Sequence, residues 1–132
     1  MKPAMEKWIR IFLLIEAAAF LAAASIHLGF SSLGYEHRRA GIAEGVIAAV
    51  LLVGLVWSGL RPASTRRAGR VAQGFALFGT FVGMFTIAIG VGPRTIPDIA
   101  YHFAILAVLA WGLAVASREP SLEKGTDLYS RG

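Results

Sequence analysis

The residues of this chain whose types could bind a metal, hold a cofactor or move a proton are its histidines, His27, His37 and His102, and a few carboxylates set among apolar residues. His27, Glu44 and His102 belong to three different apolar stretches, and each lies about one helical turn from the same end of the bundle those stretches would make. Glu36, His37, Arg38 and Arg39 flank them on one side, and Arg94, Asp98 and Tyr101 on the other. Asp98 and His102 are separated by one helical turn, so the carboxylate is expected to orient the imidazole. Three kinds of chemistry suit such a set. His27, His102 and Glu44 would make a divalent-metal site of mixed ligands, two histidines would hold a haem, or the cluster would form a proton-accepting vestibule. An anionic group would be received by Arg38, Arg39 or Arg94. The plainer reading is that these side chains tie helix ends together near the lipid headgroups.

Glu16 is a separate case. It stands deep in the first apolar stretch, nearly three whole turns before His27, which puts both on one helical face ~16 Å apart. A carboxyl in hydrocarbon costs roughly 2.5 to 3.5 kcal/mol, so it needs a partner or a task. With no cation at its depth in its own helix it is expected to be held neutral, either as a proton carrier or as a structural donor to Gln73 or Thr80 of the third stretch.

The elements that position these groups follow from hydropathy. The chain has 132 residues, is 56% hydrophobic and only 16% charged, and its mean hydropathy is +0.63. A soluble domain of this size has no interior large enough for so much apolar surface. Four stretches are long enough to cross a ~30 Å hydrocarbon core: Trp8 to Phe30, Ala40 to Leu60, Val71 to Val91 and Ile99 to Ala116. Short polar turns, Ser31 to Arg39, Arg61 to Arg70 and Gly92 to Asp98, make consecutive helices antiparallel neighbours. The expected fold is therefore an all-α, polytopic bundle of four transmembrane helices in one domain, with a polar tail from Ser117 to Gly132. Small residues at four-residue spacing, Gly41 with Gly45 and Gly79 with Gly83, would let helix backbones approach closely. The first stretch is too long for a signal peptide, and it carries Glu16.

Charge gives the orientation. With the N-terminus inside, Lys2, Lys7, Arg10, Arg61, Arg66, Arg67, Arg70, Arg118, Lys124 and Arg131 are internal, against Arg38, Arg39 and Arg94 outside. Trp8, Trp57 and Trp111 fall toward the inner boundary, Tyr35 and Tyr101 toward the outer one. Both termini are thus expected in the cytoplasm, with Arg61, Arg66, Arg67 and Arg70 on anionic lipid headgroups. The net charge of +5 is spread between apolar stretches and forms no nucleic-acid-binding face. There is no cysteine, which removes disulfides, thiolate metal sites and iron–sulfur clusters.

A four-helix chain of this length with a lone carboxylate in its first helix resembles, in outline, the small multidrug resistance exporters. That resemblance implies that Glu16 binds protons and cationic drugs in turn. It extends to Glu16 only, since His27, Glu44 and His102 lie outside the exporter pattern. The segments YEHRRAGIAEG (35–45) and VGPRTIPDIAYH (91–102) are similar to stretches in small four-helix bacterial membrane proteins of unknown function, which implies a bacterial inner membrane and no particular activity. The leading expectation is an outward-facing polar pocket, built from helices 1, 2 and 4, that binds or passes a small ion, proton or metal-like ligand. Its ligands are His27, Glu44, His102, Asp98, Glu36, His37 and Arg94. Competing expectations are a structural subunit of a larger membrane complex or homo-oligomer, a haem-carrying redox protein, and a proton-coupled exporter. Acid–base catalysis on a lipid-soluble substrate stays open, because no motif specifies a reaction.

Overall fold

The computed structural model describes residues 2–119. It holds four long helices, α1 (Pro3–His27), α2 (Arg38–Leu60), α3 (Thr65–Ala88) and α4 (Ile96–Ser117), with a 3₁₀ turn at Pro62–Ser64 leading into α3. No strand occurs among the described residues. Each of the four helices is long and apolar enough to cross a membrane. The expected tail lies largely outside the described residues.

Each helix buries one stripe at three- and four-residue spacing. In α1 this stripe is Ile9, Leu13, Glu16, Ala17, Phe20, Ala23, Ala24 and His27. In α4 it is Asp98, His102, Ile105, Leu109, Gly112 and Ala116. The opposite faces carry exposed Val53, Phe78, Phe85, Phe103 and Trp111, so the outside is as apolar as the inside. That pattern suits lipid, where every backbone group must be paired within its own helix. Sequential helices pack side by side, α4 closes on α1, and α1 also meets α3 across the bundle. Small residues set the helix separation: a Cβ at Gly69 would come within 2.7 Å of Ile9, and one at Gly79 within 2.7 Å of Ile47. Of the glycines expected to mediate packing, Gly45 does not, because it has no neighbour within 4 Å.

Two helix ends are set by glycine. Gly29 and Gly90 adopt φ of +83° and +84°, which only glycine does without strain. After α1, Phe30 N–H donates to Ser25 O at 3.0 Å and Gly29 N–H to Ile26 O at 3.1 Å. After α3, Val91 N–H donates to Thr86 O at 2.9 Å and Gly90 N–H to Ile87 O at 3.1 Å. Both are Schellman ends, and they stop α1 and α3 short of the apolar runs that continue beyond them.

The reading of Arg61 to Arg70 as a polar turn is corrected: α3 begins at Thr65, and Arg66, Arg67 and Arg70 are helical. Arginine stems extend along a helix toward headgroups, so basic residues in a terminal turn do not end it. Arg10 fastens this end of the bundle. It reaches from α1 to donate to Ser58 O of α2 at 2.7 Å and lies 3.8 Å from Glu6 of its own helix.

Candidate functional site

The end of the bundle opposite the termini is where α1 stops and α2 and α4 start, and its polar groups meet there. His27, at the last position of α1, is 4% exposed, Glu44 of α2 5% and Asp98 of α4 7%. His27 Nδ1 lies 2.6 Å from Glu44 Oε2, and His27 Nε2 lies 2.9 Å from Asp98 Oδ1. One imidazole therefore bridges two carboxyls from two other helices. Backbone geometry helps to hold it, since His37 N–H at the head of α2 donates to His27 O at 2.8 Å.

Asp98 has a second role. Thr95 caps α4: its hydroxyl oxygen accepts from Asp98 N–H at 3.3 Å, while Asp98 Oδ2 accepts from Thr95 N–H at 3.2 Å and from the Thr95 hydroxyl. This is a capping box, and it places a carboxylate in the first turn, where the helix dipole favours one. Both Asp98 oxygens thus already accept hydrogen bonds, one from the cap and one facing His27.

Counting protons identifies the reactive member. Two nitrogen–oxygen contacts need two protons among three groups. An imidazolium between two carboxylates satisfies them, and so does a neutral imidazole that donates to Asp98 while Nδ1 accepts from a protonated Glu44. Both arrangements leave a single negative charge in the cluster. Glu44 Oε1, buried and without a hydrogen-bond partner, is the free atom on which that charge can be met. A buried, unbalanced charge is costly, so this oxygen is the natural seat of a further proton or small cation.

The expected carboxylate support for His102 is corrected. His102 Nδ1–H donates to the Asp98 main-chain carbonyl at 2.7 Å, one turn back, and the Asp98 carboxylate faces His27 instead. His102 Nε2 is thus the free nitrogen. Glu44 and His102 share a cavity of about 180 Å³ with Thr80, Gly83, His37 and Arg39 among its walls. The Tyr101 ring meets His102 edge-on at 5.5 Å, and its hydroxyl is also buried without a partner.

That cavity also revises which helices build the pocket. Helix α3, expected to stand aside, supplies Gly79, Thr80, Gly83 and Thr86. It buries no residue beyond Thr80, and its last turns form one wall of the open space. A Cβ at Gly83 would lie 3.0 Å from His102 Nε2, so the absence of a side chain there makes room for the imidazole.

The remaining expected ligands do structural work at the rim. His37 Nδ1 accepts from Ala40 N–H at 3.2 Å to cap α2, which leaves Nε2–H to face Val91 O at 3.3 Å. Arg94 donates to Ile87 O and Ala88 O, both at 2.8 Å, and so finishes the end of α3. Glu36 packs over Gly29, where a Cβ would lie 3.3 Å from its carboxyl. None of the three points to the bridged histidine. The structure unites His27, Glu44 and Asp98 directly and adds His102 through the cavity. For metal or haem ligation, His27 would first have to give up a carboxyl contact. No three His, Asp or Glu side chains among the described residues are set to hold a metal ion.

Glu16 lies apart from this cluster, fully buried, with Oε1 accepting from Gln73 Nε2–H at 3.1 Å. The expected partner in α3 is therefore Gln73, while the Thr80 hydroxyl donates to Ala76 O of its own helix. Neither Glu16 nor Gln73 lines any of the five main cavities.

Thr95 was not singled out from the sequence as a contributor, and Gly83 was expected to bring helix backbones together rather than to make room for His102. Thr95 had a readable signal, a threonine three residues before an aspartate at a helix start, while the spacing of Gly79 and Gly83 marked a small-residue face and not the imidazole it would meet. No family model, curated protein or solved structure matches this chain.

Proposed function

We propose that this chain is a multi-pass protein of a bacterial inner membrane, with both termini cytoplasmic, that takes up a proton or small cation from the outer face through the cavity between α2 and α3. Glu44 receives it, His27 shares the proton with Glu44 across their short contact, and Asp98 fixes the imidazole from the other side. The observation that carries this reading is the Glu44···His27···Asp98 chain with its one unpartnered oxygen at Glu44. His102 and Thr80 line the approach, and Arg39 stands at its mouth. Glu16 Oε2 is likewise buried without a partner, but Glu16 lines no cavity while Glu44 does, so we favour the outer cluster over an exporter-like role for that carboxyl.

Liposomes loaded with a pH-sensitive dye provide the test. The reconstituted protein should dissipate an imposed pH gradient, and Glu44→Gln, which keeps the shape and removes the charge, should slow it on the order of a hundredfold. A monodisperse Glu44→Gln protein that works at the wild-type rate would overturn the assignment. The orientation has its own check. Cysteines at Ser32 or Thr95 should react with an impermeant thiol reagent on intact cells, and one at Ser64 only after lysis. Reaction of the Ser64 variant in intact cells would reverse the topology.

A further inference from the structure

At the terminal end of the bundle, α1 and α4 leave a groove of about 510 Å³ between them, lined by Met5, Trp8 and Phe12 of one helix and Trp111 and Val115 of the other. The indoles are 57% and 66% exposed, and Phe12 meets Trp111 at 6.0 Å between ring centroids. Lys2 and Arg118, one at each helix end, stand at the groove's mouth. The nearest acid in α1, Glu6, is turned to Arg10 at 3.8 Å, and among the described residues neither Lys2 nor Arg118 has an ion-pair partner. We infer that this groove is a binding site for one anionic phospholipid, its acyl chain lying along Phe12 and Val115 and its phosphate between Lys2 and Arg118.

Charge complementarity decides the occupant. An acyl chain fits the aromatic walls whatever its headgroup, but two cations at one mouth favour a lipid that is negatively charged over a zwitterionic one. Tryptophan sits at the headgroup level, where its ring faces the acyl region and its N–H remains near water. A comparable groove between α2 and α3 is lined by Val50, Val53, Trp57 and Val71 and has only one cation, Arg67. Of the neighbouring basic residues, Arg66 turns away, its Nε donating to Ala116 O at 3.5 Å, and Arg61 is engaged 5.9 Å over the ring of Trp57, a wall of that groove. The α1–α4 groove is therefore the more selective of the two.

The test uses full-length protein extracted from vesicles of equal phosphatidylglycerol and phosphatidylcholine, with retained lipid counted by native mass spectrometry. Wild-type protein should retain one phosphatidylglycerol in preference to phosphatidylcholine. The Lys2→Gln/Arg118→Gln double variant should lose that preference by roughly thirtyfold, while Arg67→Gln/Arg70→Gln, which removes as much charge from the other face, should leave it intact. Equal effects of the two pairs would mean diffuse attraction and would overturn a site. Retention abolished by Trp111→Ala but untouched by the Lys2 and Arg118 changes would overturn the anionic preference.

Discussion

Replacing Gly112 by alanine should destabilise the bundle through the buried polar pair it faces. Gly112 of α4 faces the Glu16–Gln73 pair, and a Cβ there would lie 2.5 Å from Glu16 Oε1 and closer still to Gln73 Nε2, with Phe12 3.1 Å away. Gln73 Nε2 and Glu16 Oε1 end flexible side chains, but both residues are fully buried and bonded to each other, so yielding to the new carbon disturbs that bond. The added carbon must push α4 outward or break the hydrogen bond to Glu16, leaving a carboxyl without its donor in the core. Overpacking and an orphaned buried polar group each cost about 1–3 kcal/mol, so the expected loss is on the order of 3 kcal/mol. It is read as a fall in apparent Tm of roughly 10 °C or more in detergent. Gly45→Ala is the matched control, because nothing lies within 4 Å of that position. It should stay within about 1 kcal/mol of wild type, on the stabilising side, since alanine is the better helix former. Equal melting of the two variants would show that Gly112 is not a contact position.

The four-helix arrangement was legible in the sequence, because long apolar runs separated by short polar breaks specify long helices joined as antiparallel neighbours. The Glu16–Gln73 bond was readable because a buried carboxyl must find a donor, and few polar side chains lie at its depth. The meeting of His27 with Glu44 followed in the same way, since antiparallel helices bring the end of α1 and the start of α2 to one level. Reading failed where the determinant was geometric. Asp98 and His102 share a helical face, yet an aspartate in the first turn is claimed by the cap, and its other oxygen points across to α1. A histidine one turn later then bonds to the main-chain carbonyl. Hydropathy placed the start of α3 too late because Arg66, Arg67 and Arg70 lower the local average without breaking the helix. The open space beside Glu44 is walled in part by Gly79, Thr80, Gly83 and Thr86 of α3, and no single residue type encodes a gap between helices.

The His27 and Glu44 substitutions should couple strongly in a double-mutant cycle of unfolding. His27→Leu leaves two buried carboxyls facing an apolar side chain, at an expected cost of about 3–5 kcal/mol, the range for removing one partner of a buried ion pair. Glu44→Gln keeps a hydrogen-bonding group beside Nδ1 and removes charge, so it should cost about 1–2 kcal/mol. Combined, the changes should cost well under their sum, because the double variant no longer strands a carboxylate of α2 against an apolar neighbour. A coupling of roughly 1.5 kcal/mol or more is expected, and additivity within about 0.5 kcal/mol would mean that the two groups do not share a proton or a charge. Asp98 supplies the internal comparison. Asp98→Asn also weakens the cap of α4, a loss of about 1 kcal/mol that His27 does not influence. Its coupling to His27→Leu should therefore be a smaller fraction of its own cost than that of Glu44→Gln. The contact lengths, 2.9 Å to Asp98 and 2.6 Å to Glu44, rank the two pairs in the same order. A larger coupling to Asp98 would place the shared proton on the α4 side of the imidazole and remove Glu44 from its central role.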